Sequence, residues 1–192
     1  MKISPFRLTI DAVAPEKKSV TAYAVWPTAW GPMGAARSAA GVCRVILPHY
    51  QGDQLRDLLT WEYHQATNDE SPFAGLIAMS RDYFNGKVVD FASIVCDLPA
   101  EDSFSGKVLR ACRSIPYGQT RSYHILAEMI GSGDAARAAA GILSKNAVPL
   151  VVPCHRVIYA DGQSGGFSAP GGEAVKKRLL ELERTVAGPR ER

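Results

Sequence analysis

Two short predicted helices joined by a glycine-containing turn constrain the fold of this chain more strongly than any other feature of its sequence. The helices cover residues 122–130 and 134–145, and a Gly-Ser-Gly turn at 131–133 separates them. Two helices connected in this way form a helix-turn-helix, which packs as one unit. Asp134 stands where the second helix needs an N-cap. The sequence therefore predicts a second half built around a helix-turn-helix.

The pattern of apolar residues predicts the other elements. Alternating apolar and β-branched residues, interrupted by Pro and Gly, predict strands over residues 19–26, 30–38, 41–48 and 87–96. Helical spacing of apolar residues predicts helices over residues 53–64, 73–84, 103–114 and 172–184. Strands and helices therefore share the first half, as a small antiparallel sheet with helices, and the second half is mostly helical. The predicted fold class is α/β, of the α+β kind.

The chain is long enough for two small domains. We predict an N-terminal domain over residues 1–97, a linker over residues 98–102, and a C-terminal domain over residues 103–192 that carries the helix-turn-helix. Charge differs between the halves: residues 1–103 hold 9 Lys and Arg against 12 Asp and Glu, and residues 104–192 hold 13 against 7. A basic second half suits a polyanionic partner.

Composition argues against several classes of protein. No apolar stretch reaches membrane-spanning length, and the N-terminus lacks the apolar core of a secretory signal, so we expect a cytoplasmic protein with reduced thiols and no membrane partner. The four cysteines form no CxxC pair, which argues against a zinc ribbon or a thioredoxin-type motif. Cys43, His49, His64 and Cys96 have no ligand spacing, so we expect no metal.

Cys154 lies between apolar runs and directly before two basic residues. The thiolate is the nucleophilic form of cysteine, and a neighbouring cation favours it. Arg156 supplies such a charge, His155 is a candidate proton acceptor, and Pro153 restrains the backbone that enters the site. Consecutive residues need not point the same way, so the alternative is a buried cysteine that packs as a small hydrophobic residue.

The alanine-rich segment at 134–141 has two interpretations. One is a helix chosen for its propensity and its close packing. The other is a recognition helix whose small side chains approach a groove closely while Arg137 projects from it. Because alanine cannot hydrogen-bond to base edges, such a helix would bind DNA largely without sequence preference.

The glycine-rich segment at 162–172 also has two interpretations. It lacks the GxxxxGK[ST] pattern, which argues against a nucleotide P-loop. It is either a flexible surface loop or a loop that closes over a ligand, with Phe167 available to stack on a base.

The run Pro-Cys-His-Arg-Val at 153–157 resembles the active-site signature of the methylated-DNA–protein-cysteine methyltransferases, the O6-alkylguanine-DNA alkyltransferases. The likeness extends over residues 104–184, and the segments at 82–87 and 90–91 resemble the junction between that family's domains. The resemblance implies that the N-terminal domain is the family's small RNase H-like domain. The chain departs from the family pattern at Ala140, Ala147 and Phe167.

The resemblance implies a role for each matching residue of the reactive site. Cys154 would accept the alkyl group, and His155 would act through a water as the base. Glu183 would orient His155, and Asn146 would hold the turn that carries Cys154.

A second set of residues would bind the substrate and its DNA. Tyr123 would assist rotation of the target nucleotide, Arg137 would fill the space that it leaves, and Ala135 and Ala136 would lie in the minor groove. Ser168 and Phe167 would approach the substrate from the closing loop, and Arg156 and Val157 are assigned to the same binding set.

The implied function is direct reversal of DNA damage. A methyl or larger alkyl group would pass once and irreversibly from O6-alkylguanine, with O4-alkylthymine as a further candidate, to Cys154 of a monomer that needs no cofactor. The protein would act on double-stranded DNA, at the nucleoid of a bacterium or in the nucleus of a eukaryote. Two alternatives stay open: a DNA-binding module without chemistry, either a sensor of alkylated DNA or a helix-turn-helix regulator, and a cysteine hydrolase that turns over.

Overall fold

The computed structural model describes residues 19–188, and its first half contains the predicted sheet. Strands β1 (Val20–Thr28), β2 (Gly31–Ser38) and β3 (Gly41–Ile46) form an antiparallel meander. The short strand β4 (Thr67–Asn68) pairs in parallel with β1, which gives the order β3-β2-β1-β4. The three long strands begin within two residues of their predicted positions, so those predictions are confirmed.

Helices cover both faces of this sheet. Helix α1 (Gly52–Glu62) packs with the face that carries Tyr23, and helix α2 (Ala74–Phe84) packs with the face that carries Trp26. The two-residue period of a strand puts odd and even positions of β1 on opposite faces, so both faces are apolar. Gly34 permits the close approach of α1, since a Cβ there would lie 2.9 Å from a methyl of Leu59.

The strand predicted over residues 87–96 is wrong. In that segment a 3-10 turn forms at Phe91–Ser93, and only Cys96 bridges to the sheet, opposite Val42. The Asp90 carboxylate accepts the Ala92 N–H at 2.9 Å, which starts the turn. The Arg113 guanidinium donates to several backbone carbonyls of the segment. These carbonyls are therefore bound by a side chain instead of a neighbouring strand.

The second half is mostly helical, as predicted. Its helices are α3 (Phe104–Arg113), α4 (Tyr123–Met129), α5 (Ala136–Leu143) and α6 (Gly172–Ala187). Ser103 caps α3 through the Gly106 N–H at 3.0 Å, and Ser122 caps α4 through the Ile125 N–H at 3.1 Å. Helices α4 and α5 are in contact and form the predicted helix-turn-helix.

The predicted N-cap at Asp134 is wrong. The chain forms a 3-10 turn at Gly133–Ala135, and Ala135 occupies the N-cap position of α5. The helix therefore starts two residues later than expected. The Ala135 N–H donates to the Ser132 carbonyl at 2.8 Å, and this bond across three residues closes the tighter turn.

The two halves share one hydrophobic core. A single cluster of buried residues includes Trp26 and Tyr83 of the first half and Val152 and Leu179 of the second. At the edge of this core the Arg178 guanidinium lies 3.7 Å from the ring centroid of Trp30. Within residues 19–188, no helix has the length and apolar character needed to cross a bilayer.

Candidate active site

Cys154 lies in a short 3-10 turn, Cys154–Arg156, directly before strand β6 (Val157–Ile158). Strand β6 pairs in parallel with β5 (Arg121–Ser122), so this turn is attached to the start of α4. The residue itself is only 4% exposed. Leu150, four residues earlier, has a left-handed backbone with φ of 74°. The turn therefore needs specific support to hold its shape.

Asn146 supplies that support. Its amide nitrogen donates to the Val152 carbonyl at 2.9 Å and to the Cys154 Sγ at 3.1 Å. Its side-chain oxygen accepts the Val148 N–H at 3.1 Å. One buried amide thus links three points of the segment that leads to the sulfur.

Two opposing influences act on the pKa of the Cys154 thiol. Burial raises the pKa and has the largest effect, because it disfavours the charged thiolate. The hydrogen bond from Asn146, the charge of Lys176 and a hydrogen bond with Ser168 lower it in part. The pKa is raised overall, so the resting thiol keeps its proton at neutral pH. A base must therefore remove the proton when the sulfur reacts.

His155 has the properties of that base. It is fully buried, and its Nε2 lies 2.8 Å from the Glu183 Oε1. Burial lowers the pKa of His155, and the hydrogen bond and charge of Glu183 only partly offset this effect, so the imidazole is neutral. Because the carboxylate can only accept, Nε2 carries the ring proton and Nδ1 is the basic nitrogen. Nδ1 is buried and has no hydrogen-bond partner among residues 19–188.

Glu183 is the centre of a buried hydrogen-bond network. Besides His155, its carboxylate accepts hydrogen bonds from the Tyr83 hydroxyl at 2.8 Å, the Gly118 N–H at 3.0 Å, and Arg156 Nη2 at 2.9 Å and Nε at 3.0 Å. Burial by itself would raise the pKa of Glu183, but the interactions with His155 and Arg156 outweigh it and lower the pKa to about 2. The carboxylate is therefore ionised, with Arg156 as its counter-ion.

The lowered pKa of Glu183 predicts a loss of stability in acid. The pKa is about 2 in the folded protein against an ordinary value of 4.5. A depressed carboxyl pKa stabilises the fold above the ordinary value, and the contribution is lost as pH falls toward the folded value. We expect the free energy of unfolding to decrease by about 3 kcal/mol from this group between pH 5 and pH 2.

Urea unfolding followed by tryptophan fluorescence at several pH values measures this dependence. The free energy of unfolding of Glu183→Gln should fall less steeply toward low pH than that of wild type, since the substituted side chain does not titrate. Equal slopes in both proteins would show that Glu183 does not cause the acid sensitivity.

Lys176 is a functional candidate that sequence reasoning missed. Its side chain is buried, and its Nζ donates to the Val157 carbonyl at 2.6 Å and to the Gly166 carbonyl at 3.4 Å. It thus ties the strand after Cys154 to the glycine-rich loop. A signal was present: Lys176, Leu179 and Glu183 follow helical spacing and share the buried face of α6.

A cleft of about 300 Å³ opens beside Cys154. It is lined by Tyr123, Ala140, Leu143, Ser144, Cys154, Tyr159, Gly166, Phe167 and Ser168. Tyr123 and Tyr159 form a tilted aromatic pair with ring centroids 5.4 Å apart. The cleft therefore combines aromatic walls with a sulfur, which suits a flat, partly apolar ligand.

The structure brings three of the predicted binding residues to this cleft. Tyr123, Ser168 and Phe167 line it, and α5 reaches it through Ala140. Arg137 is exposed on α5, and Ala135 and Ala136 lie half-buried where that helix begins.

Arg156 and Val157 are not brought to the cleft. Arg156 is 5% exposed, and its Nη1 donates to the Ile115 carbonyl at 2.7 Å in addition to the bonds with Glu183. The Val157 side chain is fully buried, and its backbone carbonyl accepts a hydrogen bond from Lys176 Nζ. We therefore assign both residues to the support of the site instead of to substrate contact.

Comparison with known proteins finds relatives over much of the chain. Residues 103–185 match the family described as 6-O-methylguanine DNA methyltransferase, DNA binding domain. A methylated-DNA–protein-cysteine methyltransferase of Methanothermobacter thermautotrophicus is 42% identical over 120 residues, which are 61% of this chain and 66% of that protein. The protein of the same name from Mycobacterium bovis is 40% identical over 121 residues, which are 63% of this chain and 71% of that protein.

The fold has a similar counterpart among solved structures. The crystal structure of Mycobacterium tuberculosis OGT in complex with DNA has a TM-score of 0.70 and 31% sequence identity. The similarity covers 86% of this chain and 94% of that chain, so it includes the sheet as well as the helical half.

Proposed function

The chain belongs to the methylated-DNA–protein-cysteine methyltransferase family, and on that premise we propose that it repairs DNA by taking the alkyl group of O6-alkylguanine onto the Cys154 sulfur. One observation carries the proposal. A buried thiol opens onto an aromatic cleft, and the histidine that follows it has a buried Nδ1 without a hydrogen-bond partner among the described residues. A nucleophile thus lies at the wall of a cavity that suits a purine, and a buried base is the next residue in the chain.

The reaction balances without a cofactor. The Cys154 proton passes through a water to His155 Nδ1, and the thiolate attacks the alkyl carbon on guanine O6. The carbon–sulfur bond forms as the carbon–oxygen bond breaks, and O6 keeps the bonding pair. The proton ends on guanine N1, so guanine is restored. A thioether offers no easy reverse reaction, and each molecule therefore acts once.

The buried positions of the two reacting groups explain why DNA must be distorted. Cys154 lies inside the cleft, whereas guanine O6 lies inside the base stack of a duplex. The nucleotide must rotate out of the stack, which costs a few kcal/mol. Tyr123 at the cleft wall would guide the rotated base, and Arg137 on exposed α5 would replace it in the stack. Ala135 and Ala136 would let α5 approach the minor groove closely without reading sequence.

Other parts of the assignment are proposals of the same kind. Ser168 and Phe167 would contact the substrate from the loop that Lys176 ties down. Residues 1–97 and 103–192 would form two domains joined by residues 98–102, acting as a monomer on genomic DNA. O4-alkylthymine fits the same chemistry, since its alkyl group is also bound to an exocyclic oxygen.

A titration tests the proposed function. Increasing amounts of a duplex that contains O6-methylguanine should convert the protein to a product heavier by one methyl group, with a one-to-one endpoint. Binding without a mass change would favour the DNA sensor or regulator, and repeated turnover of an ester would favour the hydrolase. Either result would overturn the proposal.

Arg137→Ala should separate base rotation from chemistry. We expect the single-turnover rate on an O6-methylguanine duplex to fall about tenfold, because an inserted side chain offsets part of the cost of flipping. Reaction with free O6-benzylguanine should stay within twofold of wild type by the same reasoning, since the free base needs no rotation. Arg56→Ala changes an exposed arginine on α1 and is the matched control. Equal losses on both substrates would contradict the role of Arg137.

A further inference from the structure

The Tyr83 hydroxyl comes from the first half of the chain and reaches the centre of the reactive network in the second. Tyr83 lies near the end of α2 and is fully buried. Its hydroxyl donates to the Glu183 Oε1 at 2.8 Å, across 100 residues of sequence. The His155 Nε2 approaches the same oxygen at 2.8 Å. Arg156 Nη2 donates to this oxygen as well, at 2.9 Å. Three side chains therefore share one carboxylate oxygen, and one of them is the candidate base.

We infer that Tyr83 is a positioning residue for alkyl transfer. Its hydroxyl fixes the Glu183 carboxylate and limits how strongly that carboxylate raises the basicity of His155. The inference rests on the proposed function. Tyr83 acts through Glu183 and His155 and touches neither the sulfur nor the cleft.

The surroundings of Tyr83 make its hydroxyl a fixed donor. The ring packs at right angles to Phe84, with centroids 5.3 Å apart, and steeply against Tyr117 at 5.8 Å and Phe91 at 5.9 Å. A ring held on several sides cannot swing its hydroxyl away from Glu183 without moving its neighbours. The oxygen that accepts from His155 is therefore anchored by α2.

The chemical consequence concerns the proton affinity of His155. A carboxylate oxygen that already accepts an O–H is a weaker acceptor for the imidazole N–H. It stabilises the imidazolium less, so the neutral, basic imidazole persists to lower pH. Without the Tyr83 hydroxyl, Glu183 would hold His155 more strongly, and the histidine would be protonated at a higher pH. Protonated His155 cannot take the proton of Cys154.

Other charged and titratable groups face this pair, and none replaces the hydroxyl. Arg156 donates to Glu183 from the reactive turn, and the Gly118 N–H donates from the loop after α3. Lys176 acts on His155 electrostatically from α6, Cys154 adjoins it in the chain, and the Tyr117 ring lies under Arg156 with centroid and guanidinium carbon 5.6 Å apart. The Tyr117 hydroxyl has no hydrogen-bond partner in the described part of the chain.

Tyr117 therefore provides a matched control for Tyr83→Phe. Each substitution removes one buried hydroxyl and keeps the ring, but only the change at Tyr83 removes a hydrogen bond to Glu183. The single-turnover transfer rate is measured from pH 5 to pH 9 with the duplex substrate. For Tyr83→Phe we expect the acid limb of the pH–rate profile, where the rate falls toward low pH, to lie about half a pH unit higher than in wild type. The DNA affinity should be unchanged, and the rate at high pH should be near that of wild type. Tyr117→Phe should keep the wild-type limb.

A spectroscopic readout separates this inference from the proposed function. In Tyr83→Phe the His155 Nε2–H should give a more downfield proton signal, because its bond to Oε1 strengthens, and this requires no alkyl transfer. If Tyr83→Phe does not fold, a ring-fluorinated tyrosine at position 83 is a stronger donor and should move the limb to lower pH. The inference would be overturned if Tyr83→Phe changed neither the acid limb of the pH–rate profile nor the His155 proton signal. A loss of rate that is the same at every pH, or equal shifts of the acid limb in Tyr83→Phe and Tyr117→Phe, would also overturn it. Absence of transfer by wild type would instead overturn the proposed function.

Discussion

Replacing Cys154 by alanine should abolish alkyl transfer completely while leaving DNA binding intact. The Cys154 sulfur at the cleft wall is the atom that the proposed reaction alkylates, so the variant has no acceptor. Intact mass spectrometry after incubation with an O6-methylguanine duplex should show one added methyl group on wild type and none on Cys154→Ala. Peptide mapping should place the methyl group of wild type on Cys154.

Cys96→Ala is the matched control for that experiment. Cys96 is half-buried outside the cleft, and burial raises the pKa of its thiol to about 11. It should therefore be unreactive, and its substitution should leave stoichiometric transfer to Cys154. Methylation of Cys154→Ala at another cysteine would show that the acceptor has been misassigned.

The second large effect is expected for Glu183→Gln. The amide cannot carry the charge that pairs with Arg156, and it presents a donor to groups that already donate. We expect the single-turnover rate to fall about a hundredfold, because the orientation and tautomer of His155 are lost. We also expect the free energy of unfolding at pH 7 to fall by about 3 kcal/mol, because a buried arginine is left without its counter-ion.

Glu181→Gln provides the comparison for this variant. Glu181 lies on the same helix but is exposed, where it pairs with Arg184 at 2.7 Å. Exposed ion pairs contribute little, so its loss should leave both the stability and the rate nearly unaltered. Similar rates for Glu183→Gln and wild type, with both proteins folded, would mean that Glu183 serves only the fold.

Local signals account for the parts of the fold that the sequence predicted correctly. Ser103 and Ser122 precede helical patterns and cap α3 and α4, because a serine oxygen satisfies a free helix N–H. The helix-turn-helix needs only such local signals and is confirmed. The strand predicted at 87–96 failed because Arg113, which binds that segment, lies far along the sequence and gives no local signal.

The site, like the fold, was predictable only where the signal lies in neighbouring residues or in the resemblance. The motif around Cys154 and the resemblance identified the residues that the structure places together. No periodicity could show that one carboxylate gathers donors from α2, the loop after α3 and the reactive turn, since those contacts depend on how the helices pack. The resemblance placed Arg156 in the substrate-binding set, whereas in the structure its guanidinium pairs with Glu183.

The continuous apolar interior that joins the sheet to the reactive turn limits how this protein can be rearranged. A segment that contained the helical half alone would expose a broad apolar surface to water. Its Glu183 would also lose the hydrogen bond from Tyr83. Chimeras between relatives therefore have to take the residues on both sides of the apolar contact between the sheet and the helical half from the same parent.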